Sequence, residues 1–132
     1  MLIASLLEDD AHTPQARRIL ERHFNNEYRT VTSITVPLEV ACTIGRRAGE
    51  AAERAALTRL REWEGLGLVK LVQLTRQRAD RALHLGLRLK LKGMDAVQVQ
   101  VASEGKRPLI TFDEEMAKRA APEVQVMTAE NF

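Results

Sequence analysis

The spacing of apolar residues along the chain alternates between a helical and a strand-like period. The first helical face has residues at i, i+3, i+4 and i+7: Ala16, Ile19, Leu20 and His23. This segment begins at Thr13 and Pro14, a hydroxyl cap followed by a proline that the first turn tolerates. Asn25 and Asn26 follow the last residue of this face and predict the end of the helix.

The same kind of spacing predicts five more helices, at residues 35–47, 50–64, 75–91, 95–104 and 113–121. Short runs that are apolar or β-branched predict strands at residues 28–32, 68–71, 108–111 and 124–126. Gly49, Gly65, Gly67 and Gly93 separate neighbouring elements. Because helices and short strands alternate, we predict a single α/β domain over residues 1–132, built on a mainly parallel sheet.

Composition excludes several classes of protein. With 45% hydrophobic and 29% charged residues, the chain has the make-up of a globular protein rather than a disordered one. The longest apolar run, residues 1–7, is too short to cross a bilayer and lacks the flanks of a signal peptide. One cysteine cannot form an internal disulfide. We therefore expect no membrane association and a cytoplasmic location.

Basic residues are concentrated in the middle of the chain, although the net charge is only +2. They are Arg46, Arg47, Arg54, Arg59, Arg61, Arg76, Arg78, Arg81, Arg88, Lys90 and Lys92. Two interpretations stay open for this run. It is either a solvated helical surface balanced by glutamates or a face that follows the phosphates of a nucleic acid.

Familiar catalytic motifs are missing from the sequence. It contains no glycine-rich phosphate loop, CxxC pair, HExxH or GxSxG. The three histidines, His12, His23 and His84, lack the spacing of zinc ligands and are predicted to be core or surface residues. Cys42 lies in a helical segment, and we predict a buried, inert thiol.

Three acidic residues occupy positions where a charged side chain requires an explanation. Glu39 is surrounded by apolar residues near a helix start, Asp95 precedes an apolar helix, and Asp113 follows a buried strand. The structural explanation is helix capping for Asp95 and Asp113 and a favourable helix dipole for Glu39. The functional explanation is that strand ends and helix starts of an open α/β sheet converge on one crevice. Carboxylates that meet there repel one another unless a hard cation such as Mg²⁺ or Mn²⁺ neutralises them.

The order of these segments resembles the PIN domain, a family of metal-dependent ribonucleases. Residues 33–40 (SITVPLEV) resemble its second-strand exit and glutamate-bearing helix, and residues 93–96 (GMDA) resemble its Asp-Ala motif at a helix start. Residues 111–117 (TFDEEMA) resemble its closing strand, threonine and aspartate. The resemblance covers essentially the whole chain and implies an α/β/α sandwich with a mainly parallel central sheet of about four to five strands.

The resemblance also implies a function, namely a toxin of the VapC type from a type II toxin–antitoxin pair. Such a protein is an Mg²⁺- or Mn²⁺-dependent endoribonuclease that hydrolyses RNA phosphodiesters with a metal-activated water. Glu39, Asp95 and Asp113 would be the catalytic metal ligands, and the Thr111 hydroxyl would orient a ligand or water. The implied partners are RNA, a cognate antitoxin and a second copy of the chain in a homodimer.

One element of the family pattern is missing at the start of the chain. The family opens with a strand that ends in an aspartate, whereas residues 2–12 (LIASLLEDDAH) resemble the helix and loop that follow it. We expect the first strand and its aspartate to precede Met1 in a longer natural protein. Alternatively, residues 1–7 form that strand, with Asp9 or Asp10 as a substitute ligand.

Two alternatives to the ribonuclease function therefore stay open. The chain could be a non-catalytic PIN-fold module that binds RNA or antitoxin, since the first acid is missing. It could also be an unrelated α/β protein in which the three acids only cap helices.

Overall fold

A computed structural model describes residues 13–128 and residue 131. The predictions made for residues 1–7, Asp9 and Asp10 lie outside the described residues. The chain divides into two compact units, unit 1 (Met1–Leu71) and unit 2 (Val72–Phe132), which are described separately.

Unit 1 contains three helices within its described residues. They are α1 (Thr13–Phe24), α2 (Thr35–Ala48) and α3 (Glu50–Gly65). Strand β1 (Thr30–Ser33) pairs with β2 (Val69–Val72), which ends at the division between the units. These bounds differ from the predicted ones by one or two residues.

Backbone geometry explains where these helices end. Asn26 has φ 59° in the left-handed region that terminates α1, and the Glu27 amide donates to the Arg22 carbonyl oxygen at 3.2 Å. Gly49, with φ 87°, separates α2 from α3, and its amide donates to the carbonyl oxygen of Gly45 at 2.9 Å. A residue with a side chain would be strained at that φ, so glycine permits the sharp turn between the two helices.

The core of unit 1 lies between α2, α3 and β2. Its buried residues are Val40, Ile44, Ala56, Leu60, Trp63, Leu68 and Val69. On α1, the predicted apolar face is confirmed, because Ala16, Ile19 and His23 are buried and Leu20 is half-buried.

Unit 2 contains three helices and two further short strands within its described residues. The helices are α4 (Arg76–Leu89), α5 (Gly93–Glu104) and α6 (Glu114–Ala120). Strands β3 (Leu109–Ile110) and β4 (Val126–Met127) pair in parallel, with Leu109 opposite Val126 and Ile110 opposite Met127. The predicted last strand, residues 124–126, therefore begins two residues later than expected.

Helix α5 lies at the centre of unit 2. Six of its twelve residues are buried, and its Val99 has no exposed surface. The core around it consists of Leu85, Val99, Ala102, Leu109, Met116, Ala120 and Val124. A Cβ built on Gly86 of α4 would come within 3.2 Å of the Ala96 Cβ, so the two helices approach closely beside Asp95.

The α/β class and the parallel strand pair agree with the predicted fold. Among the described residues the strands form two pairs, β1–β2 and β3–β4. None of the helices in this described part is long and apolar enough to span a bilayer.

Candidate functional site

Asp113 is fixed at the carboxyl end of β3 by a tight turn. The Asp113 amide donates to the Thr111 hydroxyl oxygen at 3.1 Å, and Asp113 Oδ1 accepts a hydrogen bond from the Met116 amide at 3.0 Å. Asp113 is therefore the N-cap of α6, as the capping explanation predicted. The cap engages Oδ1 and leaves Oδ2 of the same carboxylate outside this hydrogen bond.

Asp95 does not cap its helix. The N-cap of α5 is Lys92, and Asp95 is the third residue of the helix, so the capping explanation for Asp95 is wrong. Its carboxylate is half-buried and accepts no hydrogen bond from the part of the chain that the structure describes. Helix capping therefore does not explain the aspartate at position 95.

Asp95 and Asp113 lie close enough to repel each other electrostatically. Burial raises the pKa of Asp95, the charge of Asp113 raises it further, and the charge of Lys92 opposes both. Asp95 is half-buried and Asp113 is exposed, and carboxylate oxygens are the donors that hard cations prefer. The residues present therefore fit a divalent metal ion as two of its oxygen donors.

Glu39, the third predicted acid, lies in unit 1. It is the fifth residue of α2, exposed and beyond the first turn, so the first-turn dipole explanation for this residue is wrong. In the described ranges, 13–128 and 131, no three His, Cys, Asp or Glu side chains form a group that could hold a metal ion. Of the three predicted ligands, Asp95 and Asp113 act on each other electrostatically within unit 2.

A family comparison identifies the fold to which this acid pair belongs. The sequence model of the PIN domain matches residues 2–122 of the chain. The chain belongs to the PIN domain family. This membership confirms the resemblance and overturns the alternative of an unrelated α/β protein.

A solved structure agrees with the PIN fold. The crystal structure of the Mycobacterium tuberculosis toxin VapC20, described as Sarcin-Ricin loop cleaving, matches with a TM-score of 0.72 and 22% sequence identity. The match covers 94% of this chain and 92% of that one. At this identity the likeness establishes the fold, and it confirms the predicted PIN-like α/β/α class. A sequence search of curated proteins found no match.

The arginines of this PIN domain that lie on α4 are paired with carboxylates. Arg78 Nε lies 2.8 Å and Arg81 Nη1 3.3 Å from the carboxylate of Glu104, and Arg88 pairs with Glu123 at 2.5 Å. Hydrogen bonds from Arg78 and Gln100 and the charges of both arginines lower the pKa of Glu104. Arg76 lies 3.6 Å from Asp80. Arg78, Arg81 and Arg88 thus join α4 to α5 and to the segment after α6, whereas the Arg76 pair lies within α4. These pairs agree with the interpretation of a helical surface balanced by glutamates.

Neither acidic partner was singled out from the sequence. Glu104 and Glu123 lie 23 or more residues from the arginines they bind. Hydrogen bonds from Arg88 and Ser103 lower the pKa of Glu123. Helical periodicity identifies side chains that are neighbours on the same helix. It therefore gives no indication of these pairs, whose members lie in different elements.

The prediction for His23 is confirmed, whereas that for Cys42 is wrong. His23 is a core residue, 1% exposed, with its ring centroid 5.4 Å from that of Tyr28. The Cys42 thiol is exposed, because it lies on the outward side of α2 next to the buried Ala41. A helix of alternating small and apolar residues gave no clear signal for which side of it is buried.

Proposed function

We propose that this PIN domain is a metal-dependent endoribonuclease and the toxin of a type II toxin–antitoxin pair. The observation that carries the proposal is the Asp95–Asp113 pair. Asp113 is held at the carboxyl end of β3 by the Thr111 hydroxyl and the Met116 amide, and the half-buried Asp95 in the first turn of α5 experiences its charge. Support comes from the PIN family match and from the fold shared with a toxin described as cleaving the Sarcin-Ricin loop.

The metal ion would be Mg²⁺ or Mn²⁺, held by the carboxylates of Glu39, Asp95 and Asp113, because these ions prefer oxygen ligands. A bound ion of this kind supplies Lewis-acid chemistry and a water of lowered pKa for phosphodiester hydrolysis. The protein's own contribution is positioning. Thr111 fixes the Asp113 backbone, and the Met116 amide fixes one oxygen of its carboxylate.

The remaining expectations are part of the same proposal. The chain would fold as one domain, act in the cytoplasm, form a homodimer, and be silenced by a cognate antitoxin. Its substrate would be RNA. Asp9 and Asp10 stay alternative ligands that the described residues do not test.

A second candidate function is a PIN-fold module that binds RNA or antitoxin without cutting. It is favoured by the finding that no three His, Cys, Asp or Glu side chains form a group that could hold a metal ion within the described ranges. Metal binding and RNA cleavage distinguish the two functions directly.

The test is Mn²⁺ titration by calorimetry together with cleavage of a labelled RNA. We expect Asp95→Asn to weaken Mn²⁺ binding and to slow cleavage about a hundredfold or more, because a ligand contributes several kcal/mol of transition-state stabilisation. The matched control is Asp80→Asn, which makes the same chemical change at an exposed ion pair on α4. Equal cleavage by wild type and Asp95→Asn would refute the site assignment. Metal binding without cleavage of any RNA would favour the second function.

A further inference from the structure

The loop of residues 90–92 connects α4 to α5 and ends just before the helical turn that carries Asp95. Lys90 caps α4 in the left-handed conformation with φ 56°, and the Leu91 amide donates to the Gly86 carbonyl oxygen at 3.0 Å. Glycine is the usual residue at such a cap, and another residue there costs about 1 kcal/mol. The chain therefore carries a lysine at a position where the backbone disfavours it.

This loop is held in place from α6. The guanidinium of Arg119 donates to the Lys90 carbonyl oxygen, and its other nitrogen pairs with Glu115 on the same helix. Asp113 caps the helix on which Arg119 lies. Helix α6, which Asp113 caps, thus fixes the loop that leads to Asp95.

The two lysines of the loop differ from the arginines of α4. Arg76, Arg78, Arg81 and Arg88 each pair with a carboxylate, whereas neither loop ammonium lies in a salt bridge within the described residues. Both lysines are exposed. Both ammonium groups can therefore meet a ligand without first leaving a salt bridge, and the charge of Lys92 also acts on the Asp95 carboxylate.

We infer that the 90–92 loop binds backbone phosphates of the RNA, with Lys90 and Lys92 as its contacts beside the Asp95–Asp113 pair. This inference rests on the proposed function and names the element that would place the substrate at that site. Phosphates carry the charge that two unpaired ammonium groups attract, and such contacts position a nucleic acid without reading its sequence.

The left-handed backbone alone does not distinguish Lys90, because Lys106 shares it with φ 50°. Two further observations apply to Lys90 and not to Lys106. The carbonyl of Lys90 is fixed by Arg119, and its loop leads into the turn that carries Asp95. Lys106 follows the other end of α5, about 18 Å away along a twelve-residue helix. A loop that is held before the ligand arrives loses less conformational entropy on binding.

The test measures binding of a fluorescein-labelled RNA hairpin by anisotropy in EDTA, where metal-dependent cleavage cannot occur. We expect Lys90→Gly and Lys92→Gln each to weaken binding about threefold to tenfold, irrespective of hairpin sequence. The slope of log Kobs against log salt concentration should become shallower by roughly 0.7–0.9 for each lost contact. Lys90→Gly should at the same time raise the denaturation midpoint, since it removes an unfavourable φ. A merely structural role of Lys90 would not produce opposite changes in binding and stability.

The matched control is Lys106→Gly, which removes the same charge and the same kind of backbone strain at the far end of α5. It should raise stability and leave RNA binding unchanged. The inference is overturned if Lys106→Gly weakens binding as much as Lys90→Gly does, or if the wild type does not bind RNA. It is also overturned if polyglutamate binding shows the same dependence on both lysines, which would assign them to an acidic protein partner.

The failure of this inference is distinguishable from that of the proposed function. Wild-type protein that binds the hairpin through both lysines but does not cleave it with Mn²⁺ would support the loop and contradict the nuclease. Cleavage that depends on Asp95, with binding and salt slope unchanged in both lysine variants, would support the nuclease and contradict the loop.

Discussion

At the scale of single residues, His23 places a titratable ring in an apolar environment. The ring is 1% exposed, its centroid lies 6.0 Å from that of Phe24, and neither of its nitrogens has a hydrogen-bond partner of normal geometry among the described residues. Burial lowers the pKa of His23, and the backbone of Tyr28 partly opposes this effect. The neutral ring is therefore the form that the fold stabilises.

His23 should make the stability of the protein depend on pH. Because its folded pKa lies below the unfolded value of 6.5, the unfolded chain binds more protons below pH 6.5, and stability falls as the pH falls through that value. The limiting slope for one group is about 1.4 kcal/mol per pH unit. Urea denaturation between pH 5 and pH 8 should show wild-type stability falling below about pH 6.5, with at most this slope, and a weaker fall in His23→Leu. His84→Leu, a matched change at an exposed histidine, should keep the slope.

Asp95 is the second residue whose ionisation affects the free energy of unfolding. Its pKa is raised, so its ionised form is less stable in the folded chain than in the unfolded one, and this cost is present at pH 7. We therefore expect Asp95→Asn to raise the free energy of unfolding by about 0.5 kcal/mol or more in metal-free buffer. Chemical denaturation in EDTA measures this change, with Asp80→Asn as the control. A loss of stability in Asp95→Asn would mean that the carboxylate has a structural role.

At the scale of elements, α6 depends on its cap. The Asp113 side chain satisfies the Met116 amide, so Asp113→Ala should cost about 1 kcal/mol of stability. Asp113→Asn keeps an acceptor oxygen at the cap and should cost little, although both variants should lose Mn²⁺ affinity. Denaturation and calorimetry on the two variants separate the capping role from the metal role. Equal stability of wild type and Asp113→Ala would contradict the assigned cap.

The elements themselves were largely predictable from local pattern. Helix α4 begins after Thr75, whose hydroxyl accepts from the Arg78 amide at 3.2 Å, as a hydroxyl-capped start requires. The spacing of apolar residues predicted α4 without predicting which side of it is buried. Leu83 and Leu87 are 59% and 71% exposed, whereas Ala82 and Leu85 are buried. Periodicity gives the period of a helix, and packing decides which side faces the core.

At the scale of the whole molecule, the proposal of one domain predicts one unfolding transition. Trp63, the only tryptophan, reports on unit 1, whereas far-UV circular dichroism reports on all helices. Val99→Ala in the core of unit 2 should cost about 1–3 kcal/mol and shift both signals equally if the chain unfolds cooperatively. A shift of the circular dichroism transition alone would mean that the units unfold independently.

The sequence by itself determined the α/β class, the described helices to within about two residues, and the acids worth testing. It could do so because helix periods, caps and strand patterns are local properties of the chain. Tertiary structure alone decided that the charge of Asp113 acts on Asp95 and that Glu104 and Glu123 bind Arg78, Arg81 and Arg88. It also decided that Arg119 fixes the loop of Lys90. These contacts join residues 18 to 35 positions apart, and only the packing of helices and strands around a common core brings such residues together.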